Sequence, residues 1–262
     1  MRPDRAAGER WKRVVYPPLG IALALALWHW ICVQFSLSTT VLPKPGLVLA
    51  AALERRDLIA AEFWVTLKET VYGFGLALAL GVPIAVAITA SKTLNLMFSP
   101  ILIALQSVPK VALAPILLVW LGTGIESKLA IAWLVAFFPI VVDTAAGLQS
   151  TPRELLELAR SLRASRWQVF SKVQFPAALP YIVTGSKVAV TLAVIGAVIG
   201  EFVGSSEGLG YLLLTATSQI DSPLAFAALF ALAALGILAY LAVVAAERLL
   251  EPWLPPAADR RD

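Results

Sequence analysis

Of the 262 residues, 59% are hydrophobic and 15% charged; a soluble domain has about 45–50% and about 25%, so an ordinary soluble domain is excluded. The chain has one cysteine and one histidine, too few for a disulfide framework or a metal site or triad built on them. The net charge of +4 sits on the flanks of apolar segments, so no nucleic-acid partner is expected. No glycine-rich loop ending in Lys-Ser/Thr is present to cradle a nucleotide, so any ATP chemistry must lie on another chain.

A helix that crosses a bilayer needs about 20 mostly apolar residues. Six segments qualify: 14–35, 63–90, 97–121, 128–149, 181–203 and 223–247. The expected fold is an all-α membrane protein with six transmembrane helices. The first apolar run, Val14–Phe35, is about twice the length of a signal-peptide core and ends without a small-x-small cleavage site, so it reads as a retained anchor. His29, between Trp28 and Trp30, reads as interfacial packing. Residues 36–62 form an outer connector, with Pro43-Lys44-Pro45-Gly46 followed by a surface helix over Leu47–Leu58.

The second span carries Gly73, Gly75 and Gly81, which permit close helix contact. The third is interrupted by Pro109 and Pro115. Each proline removes a backbone bond, so a kink near mid-membrane is expected, tolerated only where protein or a cavity satisfies the freed groups. Lys110 stands beside Pro109 on the same stripe as Gln106. A lysine at that depth costs about 2.5–3.5 kcal/mol. It either faces a pathway or a partner, or it snorkels or is satisfied by carbonyls freed at the kink. Asp143 and Lys187 each lie about 9 Å inside the cytoplasmic ends of spans four and five. They are expected to form an ion pair, at a depth different from that of Lys110; Glu201 is not level with Lys110 either.

Residues 150–180 are a polar island between apolar runs. Thr151-Pro152-Arg153-Glu154 reads as a capping box, and Ser165-Arg166-Trp167-Gln168 repeats it. Two short helices are expected, joined by a turn near Leu162-Arg163-Ala164 and stopped by Pro176 and Pro180. Leu155, Leu158, Ala159 and Leu162 share one face, with Arg153, Glu154, Glu157 and Arg160 left to water or to another protein.

Span five carries Gly196, Gly200 and Gly204 beside Ala189, Ala193 and Ala197. Such spacing brings helices together within a subunit or across a dimer axis. A turn, Ser205–Tyr211, and a short helix to Gln219 follow, and Asp221-Ser222-Pro223 caps the last span. With the N-terminus inside, fourteen lysines and arginines fall on the cytoplasmic side against five outside. This is the positive-inside asymmetry, and it places the island and both termini in the cytoplasm.

The island resembles the coupling loop of ABC-importer permeases, a Glu-Ala-Ala, then Gly, then hydrophobe-Leu-Pro signature. Here it reads Glu157-Leu158-Ala159, Arg163 in place of the glycine, then Phe175-Pro176 and Leu179-Pro180. Glycine suits a left-handed residue at a helix end, so Arg163 implies an altered turn. Ser107-Val108-Pro109-Lys110 through Trp120-Leu121-Gly122, Ser127-Lys128, Phe138-Pro139, and Gly200-Glu201-Phe202 through Gly208-Leu209-Gly210 are similar to the nitrate/sulfonate/taurine permeases over residues 62–250.

This resemblance implies an importer-permease (MetI-like) fold in a bacterial inner membrane, with no catalytic residue and no cofactor of its own. Residues 1–13 and 251–262 become cytoplasmic tails, 14–35 an anchor, 36–62 a periplasmic connector and 63–250 the permease core. Implied partners are two ABC ATPase subunits, a second permease copy and a periplasmic solute-binding protein. Glu154, Leu155, Glu157, Leu158, Ala159, Leu162 and Arg163 form the expected ATPase-coupling set. Gln106, Lys110, Thr191 and Glu201 are the pathway candidates. The implied cargo is a small anion such as nitrate, a sulfonate or taurine. The rival readings are a pyrimidine or riboflavin-type vitamin permease of the same fold and, more distantly, a secondary transporter, for which no internal repeat is apparent.

Overall fold

The computed structural model describes residues 4–250, with side chains from Val15 onward. The basic side chains expected in both tails (Arg2, Arg5, Arg10, Lys12, Arg13, Arg260 and Arg261) lie outside the described residues. The elements are α1 (Asp4–Gln34), α2 (Pro45–Glu54), α3 (Arg56–Ala90), α4 (Lys92–Gln106), a 3-10 turn (Lys110–Leu113), α5 (Ala114–Leu121) and α6 (Ile125–Gln149). They continue with α7 (Arg153–Ser161), α8 (Arg166–Val169), a π-turn (Phe170–Gln174), α9 (Phe175–Gly204), α10 (Leu209–Ser218) and α11 (Ser222–Leu250). Among the described residues five helices are long and apolar enough to cross a membrane, or six when α4 and the segment Lys110–Leu121 count as one span.

That third span is not merely kinked: its halves meet at 87°. Pro109 lacks an N–H and biases Val108 away from the α region, so the helix stops at Gln106 and restarts in a 3-10 turn. The surface helix ends at Glu54, and α3 begins two residues later, so the expected stretch to Leu58 is divided between two elements.

The chain forms two units. The first comprises the chain to Ala60 with residues 212–230. Only 6% of the apolar stretch of α1 is buried, as expected for a helix whose solvent is lipid. Trp28 packs on Phe226 and Phe230, at ring distances of 5.8 and 5.9 Å. The Asp221 side chain caps α11 by accepting from Leu224 N at 3.2 Å, as its position before Ser222-Pro223 implies.

The second unit, residues 61–211 with 231 onward, holds the pathway candidates and the island. Its core is α6 held between α3 and α9. Gly73 and Gly81 of α3 lie against Ala132 and Ile140 of α6, and Gly196 and Gly200 of α9 lie against Ala132 and Lys128. A Cβ at Gly196 would come within 2.7 Å of the Ala132 backbone, so these glycines set the interhelical distance. The α9 stripe therefore works inside the subunit, with Gly204 against Leu118 of α5. Pro176 and Pro180 do not stop the helix. In the π-turn Phe175 N bonds to Phe170 O, and this wider turn accommodates Pro176 at the start of α9.

Candidate functional site

A cavity of about 550 Å³ opens beside the broken span, walled by the end of α4, the 3-10 turn, α6 and α9. Most of its wall is apolar, with Val135, Phe138, Leu192, Ile195 and Ile199 among the lining residues, and three polar side chains join them: Gln106, Lys110 and Asp143. Lys110 Nζ donates to Gln106 O at 3.2 Å and lies 4.9 Å from the Phe138 ring centroid. The lysine uses a carbonyl at the break, as one sequence reading expected, and also lines the cavity. Asp143 packs against Gly185, where a Cβ would meet its carboxylate at 2.8 Å.

One expectation is overturned, and the other candidates lie as follows. Asp143 and Lys187 do not pair; Lys187 Nζ sits 2.6 Å from Glu247 Oε2 on α11. Gly185 faces Asp143, and two residues further along a helix the side chain points about 200° away. Asp143 instead lines the same cavity as Lys110, although residue counting put the two at different depths. Thr191 is absent from the cavity lining and donates its hydroxyl to Val188 O at 2.8 Å. Glu201 is only 1% exposed and is not among the residues lining this cavity.

Glu201 belongs to a buried clasp. Its carboxylate accepts from Thr66 Oγ1 at 2.6 Å and from Gly210 N at 2.5 Å. Thr66 Oγ1 accepts from Leu209 N at 2.9 Å, and Glu62 accepts from Gly208 N. Gly208 has φ +103°, and a Cβ there would run into the Glu201 carboxylate. The Gly-Glu-Phe and Gly-Leu-Gly blocks are thus two halves of one structure, a carboxylate and the turn it holds. Beside it, Lys128 Nζ lies 3.5 Å from Glu69 Oε1, both groups at most 5% exposed. Glu62, Thr66 and Glu69 did not emerge from the sequence as site residues. Their spacing of four and three residues along an apolar helix was the available signal.

The island presents α7 with Leu155, Leu158 and Leu162 exposed and Ala159, at the edge of that face, turned into the domain. Glu154 and Glu157 are exposed and enter no ion pair among the described residues. The first capping box does not form. Ser150 and Thr151 turn their hydroxyls back to Gly147 O and Leu148 O, capping the end of α6, and α7 starts after Pro152 with no side-chain cap. The second box forms in full, Ser165 and Gln168 bonding each other's backbone. Arg163 adopts φ +51°, the left-handed turn that its position in the motif implies. A second cavity of about 1030 Å³ lies between the island and the ends of α3 and α6, lined in part by Thr89, Gln149, Arg160, Arg166 and Trp167.

Comparisons with known proteins agree with this architecture. Residues 77–254 match the profile of the binding-protein-dependent transport system inner membrane component. A formylaminopyrimidine transport permease of Halalkalibacterium halodurans is 35% identical over 249 residues, covering 94% of this chain and 98% of that protein. The taurine transport system permease of Escherichia coli K12 is 29% identical over 240 residues, covering 89% and 87%. Among solved structures, the methionine ABC transporter in inward-facing conformations superposes with a TM-score of 0.67 at 22% identity, covering 77% of this chain and 99% of that one. The chain therefore belongs to the binding-protein-dependent transport inner-membrane components, as an ABC-importer permease of the nitrate/sulfonate/taurine group rather than an enzyme.

Proposed function

We propose that two copies of this chain form the membrane passage of an importer driven by two ATPase subunits and fed by a periplasmic solute-binding protein. In this reading both termini are cytoplasmic, α7 couples ATP hydrolysis to transport, and the cavity beside the broken span is part of the passage. The observation that carries it is the outward face of α7: three leucines exposed by 45%, 56% and 74%, flanked by unpaired Glu154 and Glu157. Exposed leucines on a polar helix are an anchor set awaiting an apolar groove, with the carboxylates placed for basic groups around it. The turn at Arg163 fixes the angle at which α7 leaves the domain. The cargo is a small polar solute, and Lys110 supports an anionic group on it.

The test is Glu157→Lys in the purified complex reconstituted into proteoliposomes. Transport and binding-protein-stimulated ATP hydrolysis should fall to background while the permease remains inserted. Hydrolysis stimulated as in the unmodified complex, with all subunits still bound, would remove α7 from the coupling role.

A further inference from the structure

The cavity is lined by one positive and one negative side chain, Lys110 from the 3-10 turn and Asp143 from α6. This inference rests on the reading of that cavity as part of the passage. Lys110 has three N–H donors and uses one on Gln106 O. Asp143 enters no ion pair among the described residues, although it lines the same space. Gly185 is what lets that carboxylate lie close against α9. A bare inorganic anion would gain from Lys110 and lose to Asp143, and the apolar remainder of the wall would offer it nothing. An organic solute with both an acceptor and a donor group uses all of these features. The volume of about 550 Å³ is of the size that holds one small organic ligand.

We propose that this cavity is a recognition site for a dipolar organic solute, whose anionic or acceptor end meets Lys110 and whose cationic or N–H end meets Asp143, its body lying against Phe138, Leu192 and Ile195.

The experiment uses the permease–ATPase complex without binding protein. Ile195, 51% exposed on the cavity wall, is changed to cysteine in a Cys32→Ala background and labelled with neutral methyl methanethiosulfonate. Three probes sharing a two-carbon body are then tested for slowing the reaction: taurine with both charges, ethanesulfonate with the anion alone, and ethylamine with the cation alone. Taurine should protect at about tenfold lower concentration than either of the others, the factor that about 1.4 kcal/mol of added binding supplies. Asp143→Asn should reduce taurine to the level of ethanesulfonate, Lys110→Gln should reduce it to that of ethylamine, and Lys110→Arg should restore part of the protection. Equal protection by ethanesulfonate and taurine, or taurine protection unchanged in Asp143→Asn, overturns the dipolar assignment, as does protection by none of the three. A cysteine at 195 that never reacts overturns the passage reading itself, a different failure.

Discussion

Glu201 and Thr66 join three segments that are far apart in the chain, and the energetics of each atom can be followed. The Thr66 hydroxyl donates to the Glu201 carboxylate and accepts from Leu209 N. Thr66→Val keeps the shape but leaves a buried N–H without an acceptor, which costs about 1–3 kcal/mol. Glu201→Gln exchanges one acceptor oxygen for an N–H₂ facing donors, a loss of about 1–3 kcal/mol for a buried donor left unsatisfied. The two changes share a bond, so the double variant should lose less than the sum. Thermal unfolding of the detergent-purified permease in the four variants of the cycle checks this. Strict additivity would show that the Thr66–Glu201 bond contributes nothing. The residue types were legible in the sequence, but their meeting was not: Glu201 lies 135 positions from Thr66, and only the folded arrangement of α3 and α9 about α6 reveals the partner.

At the scale of elements, three helices end in the same way, each with a non-glycine residue in the left-handed region. After α7, Ala164 N bonds to Ala159 O and Arg163 N to Arg160 O, with Arg163 at φ +51°. After α10, Asp221 N bonds to Ala216 O and Ile220 N to Thr217 O, with Ile220 at φ +60°. After α1, Leu37 N bonds to Cys32 O and Ser36 N to Val33 O, with Ser36 at φ +47°. Each is a Schellman turn in a position where glycine is the usual residue. A β-branched residue such as Ile220 is the most strained of the three. Ile220→Gly should raise stability by about 1 kcal/mol, and Arg163→Gly by somewhat less. An unchanged or lower unfolding temperature in Ile220→Gly would mean that the isoleucine side chain contributes more than the strain costs. Only at Arg163 did the sequence point to a turn, because the motif has a glycine there; the altered geometry expected of an arginine did not appear, and the chain makes the left-handed turn with arginine itself. The prolines show the matching gap: Pro83, Pro100, Pro139 and Pro180 lie inside helices, while Pro109 breaks one. Sequence does not separate the prolines a helix absorbs from the one that breaks it, because the packing that tolerates the lost bond is a tertiary property.

For the molecule as a whole, hydrophobic length sufficed to find five long apolar helices among the described residues, since a bilayer imposes one thickness on all of them, but not to show that the remaining segment is two helices meeting at 87°. It did not place the charges, because helix rotation about its axis moves a side chain between cavity, core and lipid without altering its depth. Asp143 and Lys187 are the case in point: near in depth, yet Lys187 faces Glu247. The orientation in the membrane can be argued from α9 alone. This helix runs 30 residues from Phe175 to Gly204, about 45 Å at 1.5 Å per residue, against a hydrocarbon core of about 30 Å. Its two ends must therefore emerge on opposite sides. The arginine-bearing island precedes its start and the turn with Ser206 and Glu207 follows its end, so the positive-inside asymmetry supports the proposed cytoplasmic placement of the island. In intact cells of a Cys32→Ala background, a cysteine at Ser206 should react with a membrane-impermeant maleimide applied from outside, once the outer membrane is permeabilised. One at Ser161, exposed on α7, should react only after the inner membrane is opened as well. Labelling of position 161 in cells with a sealed inner membrane would reverse the orientation, and would take α7 out of reach of any cytoplasmic ATPase.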